Sequence, residues 1–317
     1  MAVSTAFEHV DSNKALAQIG SLVRRTPVLE SKTISTAADC ELYFKCEHLQ
    51  TTGSFKLRGA SFAVARLDDD CAGVATHSSG NHGTALAAAA RARGFAAHVV
   101  MPATAVQTKI DAVRRHGGKV HFCAPTQTAR EQGLAELVAQ GFVPIPPYDH
   151  DDIIAGQGTL ALEFVQQIDD LDVIVAPVGG GGMLAGITLA VADRNVRVVG
   201  AEPAGADDAA RSLAAGTRVS DHQPETIADG LRALIGQRNL AVLMQHNVAI
   251  LTVSEQQIVQ AMHTLWTEMK QVVEPSGAVA LAAVLNHAEP FRGLKVGIVL
   301  SGGNLDVQPM FDYLEAL

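Results

Sequence analysis

The chain has 317 residues, 48% hydrophobic and 18% charged, enough apolar material for the cores of about two domains, which excludes an intrinsically disordered chain. Lys and Arg number 24 against 33 Asp and Glu, a net charge of −9 with no basic face, so no nucleic-acid partner is expected. Aromatic residues are only 4%, leaving a core of Ala, Val, Leu and Ile that suits parallel strands buried under helices.

The N-terminal stretch MAVSTAFEHVDSNKALAQIG has acids early and no apolar run of signal-peptide type. The four cysteines, Cys40, Cys46, Cys71 and Cys123, form no CxxC and read as thiols in a reducing, cytoplasmic compartment. From about residue 40 to 203 strands and helices alternate. Glu41–Lys45 is a short strand, Ser54–Ala60 begins a helix, and Gly73–Thr76 is a strand running into a Ser-Ser-Gly turn and a helix over Thr84–Arg93. Ala97–Met101 is a strand stopped by Pro102, and Thr108–His116 is a helix closed by Gly117-Gly118. Lys119–Cys123 and Asp172–Val178 are strands, with helices over Ala129–Gln140 and Gly158–Gln167 between them. Val196–Glu202 and Leu294–Leu300 are two further strands. The uncharged run Ile174–Ala192 contains Pro177 and five glycines, which argues against a spanning helix, and no membrane partner is expected. Alternation of this kind predicts parallel sheet with helices on both faces. No repeat or linker is visible, so two domains would be interleaved.

In open α/β sheets ligands bind beyond the carboxyl ends of strands. Gly179–Gly182 sits at such an end, and consecutive amides at a helix start form an anion pocket. No Gly-Lys-[Ser/Thr] follows, which excludes a Walker loop. Gly180, Gly182 and Ala185 also fit the GxGxxA dinucleotide pattern, with Glu202 twenty positions beyond Gly182, so NAD and another phosphate ligand are both open on this stretch alone. Lys56 within Ser54–Ala60, the loop Ser78–Gly83 and the loop Ser301–Asn304 are each, singly, no more than a surface lysine, a helix cap or a glycine turn.

Together, the segments SFKLRGA, SSGNHG, GGGGMLAG and SGGN, in this order, resemble the fold-type II pyridoxal-phosphate enzymes, and within them the serine racemase, serine/threonine dehydratase and 3-hydroxyaspartate dehydratase branch. The resemblance runs from about Thr26 to Val307 and includes Ile154–Gly158, Glu225–Gly230 and Glu274–Gly277. It implies a tryptophan synthase β-like α/β fold of two interleaved open-sheet domains with helices on both faces. Residues 1–72 and 151–317 would form the large cofactor-binding domain and 73–150 the small one.

The resemblance also implies roles. Lys56 would form the Schiff base with the cofactor aldehyde and, once displaced, remove the substrate α-proton; burial lowers a lysine pKa in the direction this needs. Phe55 would pack against the pyridine ring and Asn81 would hydrogen-bond the ring hydroxyl oxygen. The amides of Gly179, Gly180, Gly181, Gly182 and Met183 would cradle the phosphate. Ser301 would meet the pyridine nitrogen, leaving it unprotonated, which suits elimination or reprotonation better than transamination. Ser78, Asn81 and His82 would hold the substrate α-carboxylate. Ser79 would be the acid/base facing Lys56, where threonine dehydratases usually carry Ala. Arg130 would take a second, distal carboxylate. Glu202, Asp208 and the Ala206 carbonyl would hold Mg²⁺, Ca²⁺ or Mn²⁺.

Thr51, Thr84 and His116 do not match the nucleotide site of the animal racemases, so ATP activation is not carried over. Ala233 replaces a substrate-facing serine of some racemases, and with no regulatory domain after Leu317 isoleucine control is not expected. The expected activity is elimination of water from a β-hydroxy amino acid, in order 3-hydroxyaspartate, serine and threonine, giving a 2-oxo acid and ammonia in a homodimer. Serine racemisation is the alternative, and a non-catalytic NAD- or phosphate-binding protein the remote one.

Overall fold

The computed structural model describes residues 7, 9–78, 80–105 and 107–315. In chain order the first elements are α1 (Ser12–Ile19), β1 (Val28–Glu30), α2 (Lys32–Ala38), β2 (Glu41–Lys45), α3 (Lys56–Ala65), β3 (Val74–His77), α4 (Asn81–Ala92), β4 (Ala97–Pro102) and α5 (Gln107–Arg115). Then come β5 (Lys119–Cys123), α6 (Gln127–Ala139), β6 (Val143–Pro144), α7 (Asp151–Gln167), β7 (Val173–Pro177), α8 (Gly182–Ala190), β8 (Arg197–Pro203) and α9 (Asp208–Ala215). The last are α10 (Gln237–Gln245), β9 (Ala249–Val253), α11 (Glu255–Met269), α12 (Pro275–Asn286), β10 (Lys295–Val299) and α13 (Val307–Glu315).

Two sheets result. The larger has the order β1-β2-β10-β7-β8-β9 and the smaller β5-β4-β3-β6. Every pairing is parallel except β1 against β2. Runs such as Val173-Ile-Val-Ala-Pro177 are buried along their whole length because helices cover both faces. On one face of the large sheet α2, α11 and α12 bury Ile34, Leu265 and Leu281; on the other α7, α8 and α10 bury Phe164, Leu184 and Leu243. The small sheet carries α4 and α5 on one face, through Leu86 and Val113, and α6 on the other, through Leu137. Its first core also takes in Leu57 and Phe62 of α3 and Ile153 and Ile154 of α7.

Two helix starts differ from the sequence expectation. The helix expected from Gly158 begins at Asp151, since Gly156 and Gly158 mark helix crossings rather than a helix end. A Cβ on Gly156 would lie 2.6 Å from Gly59 Cα of α3, and one on Gly158 would lie 2.6 Å from the Gly186 carbonyl of α8. The helix expected from Thr84 begins at Asn81, which puts Asn81 and His82 in its first turn. The uncharged run Ile174–Ala192 divides into β7 and α8, and no described helix is long and apolar enough to cross a membrane.

Candidate active site

Lys56 opens α3. The segment before it docks on the loop after β10: Ser54 pairs with Gly302 in an antiparallel bridge, and the Phe55 N–H donates to the Ser301 carbonyl at 3.0 Å. Gly53 turns the chain at φ +74°, where a Cβ would collide with the Asn304 side chain. The half-buried Lys56 amine donates to the Pro147 carbonyl at 2.8 Å and stands 5.1 Å from the centroid of the Phe55 ring. Burial pushes its pKa down to about 8, with Glu274 opposing the shift. An appreciable fraction is therefore neutral near physiological pH, as a carbonyl-attacking amine requires.

Two residues further along α3, the fully buried Arg58 guanidinium fixes the helix. It donates to Glu47 at 2.8 and 2.9 Å and to Glu163 at 2.8 Å through two nitrogens, while the Lys45 amine also donates to Glu163 at 2.8 Å. Two cations and two carboxylates balance, so α3 is tied to β2 and α7 without an unpaired buried charge.

Asn81 is held from both sides. Its Nδ2 donates to Glu274 Oε1 at 2.8 Å, and its Oδ1 accepts from Asn304 Nδ2 at 2.8 Å. The Asn304 Nδ2 also donates to the Thr52 carbonyl at 2.8 Å, so one chain of contacts joins the loops that open α3, α4 and α12 and follow β10. This fixes which end of the Asn81 amide is nitrogen and leaves its second N–H free. Glu274 is buried, its Oε2 has no partner, and burial pushes its carboxyl up to about 8, with Asp229 adding to the rise and Lys109 opposing it.

Ser78 Oγ accepts from the Gly80 and Gly83 amides at 3.2 and 3.1 Å, tying down the first turn of α4, and its O–H has no acceptor among the described residues. Ser79 lies outside the described residues. His82 is buried; its Nε2 meets the Ile145 carbonyl at 3.0 Å and its Nδ1 has no partner. Burial beside Lys56 pushes its pKa down to about 3, so the ring is neutral, with Nε2–H donating to Ile145 and Nδ1 an acceptor. In this tautomer the ring has no N–H left to give to a carboxylate. Arg130 lies in the first turn of α6 with a buried Nε that has no partner, and its charge helps burial to hold His77 at the end of β3 below its usual pKa.

The loop Gly179–Met183 links β7 to α8. Its glycines are required by what touches them: a Cβ would lie 2.8 Å from Leu231 Cα at Gly179, 2.3 Å from the Tyr148 ring at Gly180 and 2.7 Å from the Tyr148 carbonyl at Gly182. Gly181 has φ +87°. Among the described residues the amides from Gly179 to Met183 donate to no protein oxygen, so they form an open nest at a helix N-terminus. That cradle fits a phosphate, and with the amine of Lys56 and the oriented amide of Asn81 it fits pyridoxal phosphate. Ser301 is buried, and its carbonyl takes the Phe55 N–H next to Lys56.

Glu202 and Asp208 are both fully buried. The Glu202 carboxylate accepts from the Ala209 and Ala210 amides at 3.0 and 2.9 Å, capping α9, so it faces inward and is not free for a ribose as the dinucleotide pattern required. Asp208 Oδ2 accepts from the Ile235 amide at 2.7 Å, while Oδ1 makes no hydrogen bond and lies 3.6 Å from His222 Nε2. Burial raises both carboxyls, Glu202 to about 8. Two buried acids with an unpartnered oxygen suit a divalent cation, although the described residues hold no group of three or more metal-binding His, Cys, Asp or Glu side chains.

Sequence reasoning attached no chemistry to Glu274, Asn304, Pro147 or Tyr148. The first two stood in the EPSG and SGGN segments as mere markers, and Pro147 and Tyr148 carried no motif.

Comparison with known proteins agrees with this geometry. The chain is 45% identical to a β-hydroxyaspartate dehydratase of Paracoccus denitrificans, over 91% of this chain and 93% of that one. It is 43% identical to a serine racemase of Dictyostelium discoideum, over 94% of each. The structure of maize serine racemase superposes with a TM-score of 0.92 at 38% identity, covering 98% of both chains. A family model described as pyridoxal-phosphate dependent enzyme matches residues 19–302. With nine-tenths of its length matched in this way, the chain belongs to the pyridoxal-phosphate-dependent enzymes of fold type II.

Proposed function

We propose that this protein removes water from a β-hydroxy amino acid, with 3-hydroxyaspartate preferred over serine, releasing a 2-oxo acid and ammonia. The observation that carries the choice of substrate is Arg130, whose buried Nε has no partner among the described residues and so leaves a charged donor for a second carboxylate. The 45% identity to a β-hydroxyaspartate dehydratase supports it. Pyridoxal phosphate, when bound, supplies an aldehyde for the amine and a conjugated ring that takes up the charge left at the substrate Cα.

The protein groups divide the remaining work. Lys56 carries the cofactor and, freed, takes the α-proton, its lowered pKa keeping it a competent base. Gly179 to Met183 hold the phosphate through their amides, and the free N–H of Asn81 holds the ring hydroxyl oxygen. The Ser78 hydroxyl and the amides of the first turn of α4 hold the α-carboxylate. The Ser301 hydroxyl, with no charge to give, stands at the ring nitrogen. Ser79 would serve as the second acid/base alongside Lys56; the 43% identity to a serine racemase supports racemisation by this pair as a second activity. Glu202, Asp208 and the Ala206 carbonyl hold Mg²⁺ or a similar cation. We take residues 73–150 as the small domain, and a cytoplasmic homodimer as the working form, in keeping with four unpaired thiols.

The test is a panel of β-hydroxy amino acids assayed for ammonia and for chirality in the wild type and in Arg130→Ala. The variant should lose roughly 10²–10³-fold in kcat/KM on 3-hydroxyaspartate and little on serine, because only the former leaves a carboxylate unpaired. Equal losses on both substrates would remove the basis for a dicarboxylic preference.

A further inference from the structure

Between β6 and α7 the chain crosses the site as a strap, and four consecutive contacts along it reach the groups described above. The Ile145 carbonyl takes His82 Nε2, the Pro147 carbonyl takes the Lys56 amine, and Tyr148 covers the phosphate loop. The Asp149 carboxylate accepts from the Gln237 and Arg238 amides at 3.1 Å each, closing the start of α10. The strap therefore joins the amine that holds the aldehyde end of the cofactor to the amides that hold its phosphate.

The phosphate loop needs such a support. Four consecutive glycines have more backbone freedom to lose than any other tetrapeptide, and an anion cradle works only when its amides are already aligned. Main chain supplies part of the order: the Gly180 carbonyl accepts from the Gly236 N–H at 3.0 Å, and from Asn239 Nδ2. The side chain that lies on Gly180 is Tyr148, with Cγ, Cδ1 and Cδ2 all 2.3–2.6 Å from where a Cβ would stand. Its carbonyl and Cα meet Gly182 in the same way, at 2.7 and 3.0 Å. A flat ring fits against a glycine Cα where a branched side chain does not.

We propose that Tyr148 is a positioning residue for the cofactor phosphate: its ring clamps Gly180 and so aligns the Gly179–Met183 amides, while Pro147 beside it keeps Lys56 in register with them. The inference rests on the reading of this site as a pyridoxal-phosphate site. It assigns the work to the ring rather than the hydroxyl, since the contacts with the loop are made by ring carbons and main chain.

The experiment measures binding of pyridoxal phosphate and of pyridoxal, which lacks the phosphate, to cofactor-stripped wild type, Tyr148→Phe and Tyr148→Leu. Tyr148→Leu keeps apolar bulk but not the flat ring, and melting of the stripped proteins reports folding. Tyr148→Leu should bind pyridoxal phosphate about tenfold more weakly, the order of loss for one glycine that must be ordered on binding. Its affinity for pyridoxal should be unchanged, and Tyr148→Phe should match the wild type for both. Inorganic phosphate should raise the melting temperature of stripped wild type more than that of Tyr148→Leu. Wild-type affinity for pyridoxal phosphate in Tyr148→Leu, an equal loss for both ligands, or a Tyr148→Phe as weak as Tyr148→Leu would each overturn the proposal. Failure of the wild type to bind pyridoxal phosphate at all would instead overturn the reading of the site.

Discussion

A lysine that must attack a carbonyl works only in its neutral form, and Lys56 reaches that form through burial, which brings its pKa to about 8. The Glu274 carboxyl, itself raised to about 8 by burial, pulls the other way to the extent that it is ionised. Capture of pyridoxal phosphate at Lys56 by the stripped protein should therefore rise with pH through a midpoint near 8, rather than above 10 as for a solvated lysine. In Glu274→Gln the midpoint should move lower still, because the charge that favours the ammonium has gone. Mass mapping after reductive trapping across pH reads both. A midpoint that rises in Glu274→Gln would contradict the electrostatics assigned to the pair. Residue-level legibility was uneven for a physical reason. Lys56, Asn81 and the glycine loop sit in local segments whose composition is itself the signal. The Asn81–Glu274 contact joins positions 193 apart, and no local pattern encodes it.

The helices around the large sheet approach one another through glycine, which is how α7 packs against both α3 and α8. A Cβ on Gly186 would lie 2.3 Å from the Ile154 carbonyl and 2.7 Å from the Gly158 nitrogen, backbone atoms that cannot swing away. Gly186→Ala should lower stability by about 1–3 kcal/mol, as overpacking of a tight contact does, and a denaturant melt would show it. An unchanged or raised midpoint would mean that the crossing is looser than the geometry requires. These same glycines explain where element prediction stopped short. Gly156 and Gly158 have the composition of a helix breaker and the function of a packing contact, and only the neighbouring helices distinguish the two. Strands β2 and β5 were legible to the residue because a short β-favouring run opened by a charged residue, Glu41 or Lys119, needs no partner to be read.

At the scale of the molecule, two sheets turn the carboxyl ends of their strands toward one region, and the loops after β3, β7 and β10 supply its polar groups. The layered fold was legible from strand and helix alternation; the strap over the phosphate loop and the inward turn of Glu202 were not, since both arise where distant segments close on one another. Burial raises both the Glu202 and the Asp208 carboxyls, and a bound cation would draw them into their ionised forms. Chelated protein should melt at a lower temperature than protein in millimolar Mg²⁺, and Glu202→Gln should abolish the difference. Identical melting with and without Mg²⁺ would remove the cation from the account. The most direct test of the central claim is ammonia release from 3-hydroxyaspartate by the wild type and by Lys56→Ala, each supplied with pyridoxal phosphate. The wild type should release ammonia and the corresponding 2-oxo acid in equal amounts, and Lys56→Ala, though folded, should release none above the buffer. Elimination at near wild-type rate by Lys56→Ala, or no release by the wild type, would contradict it.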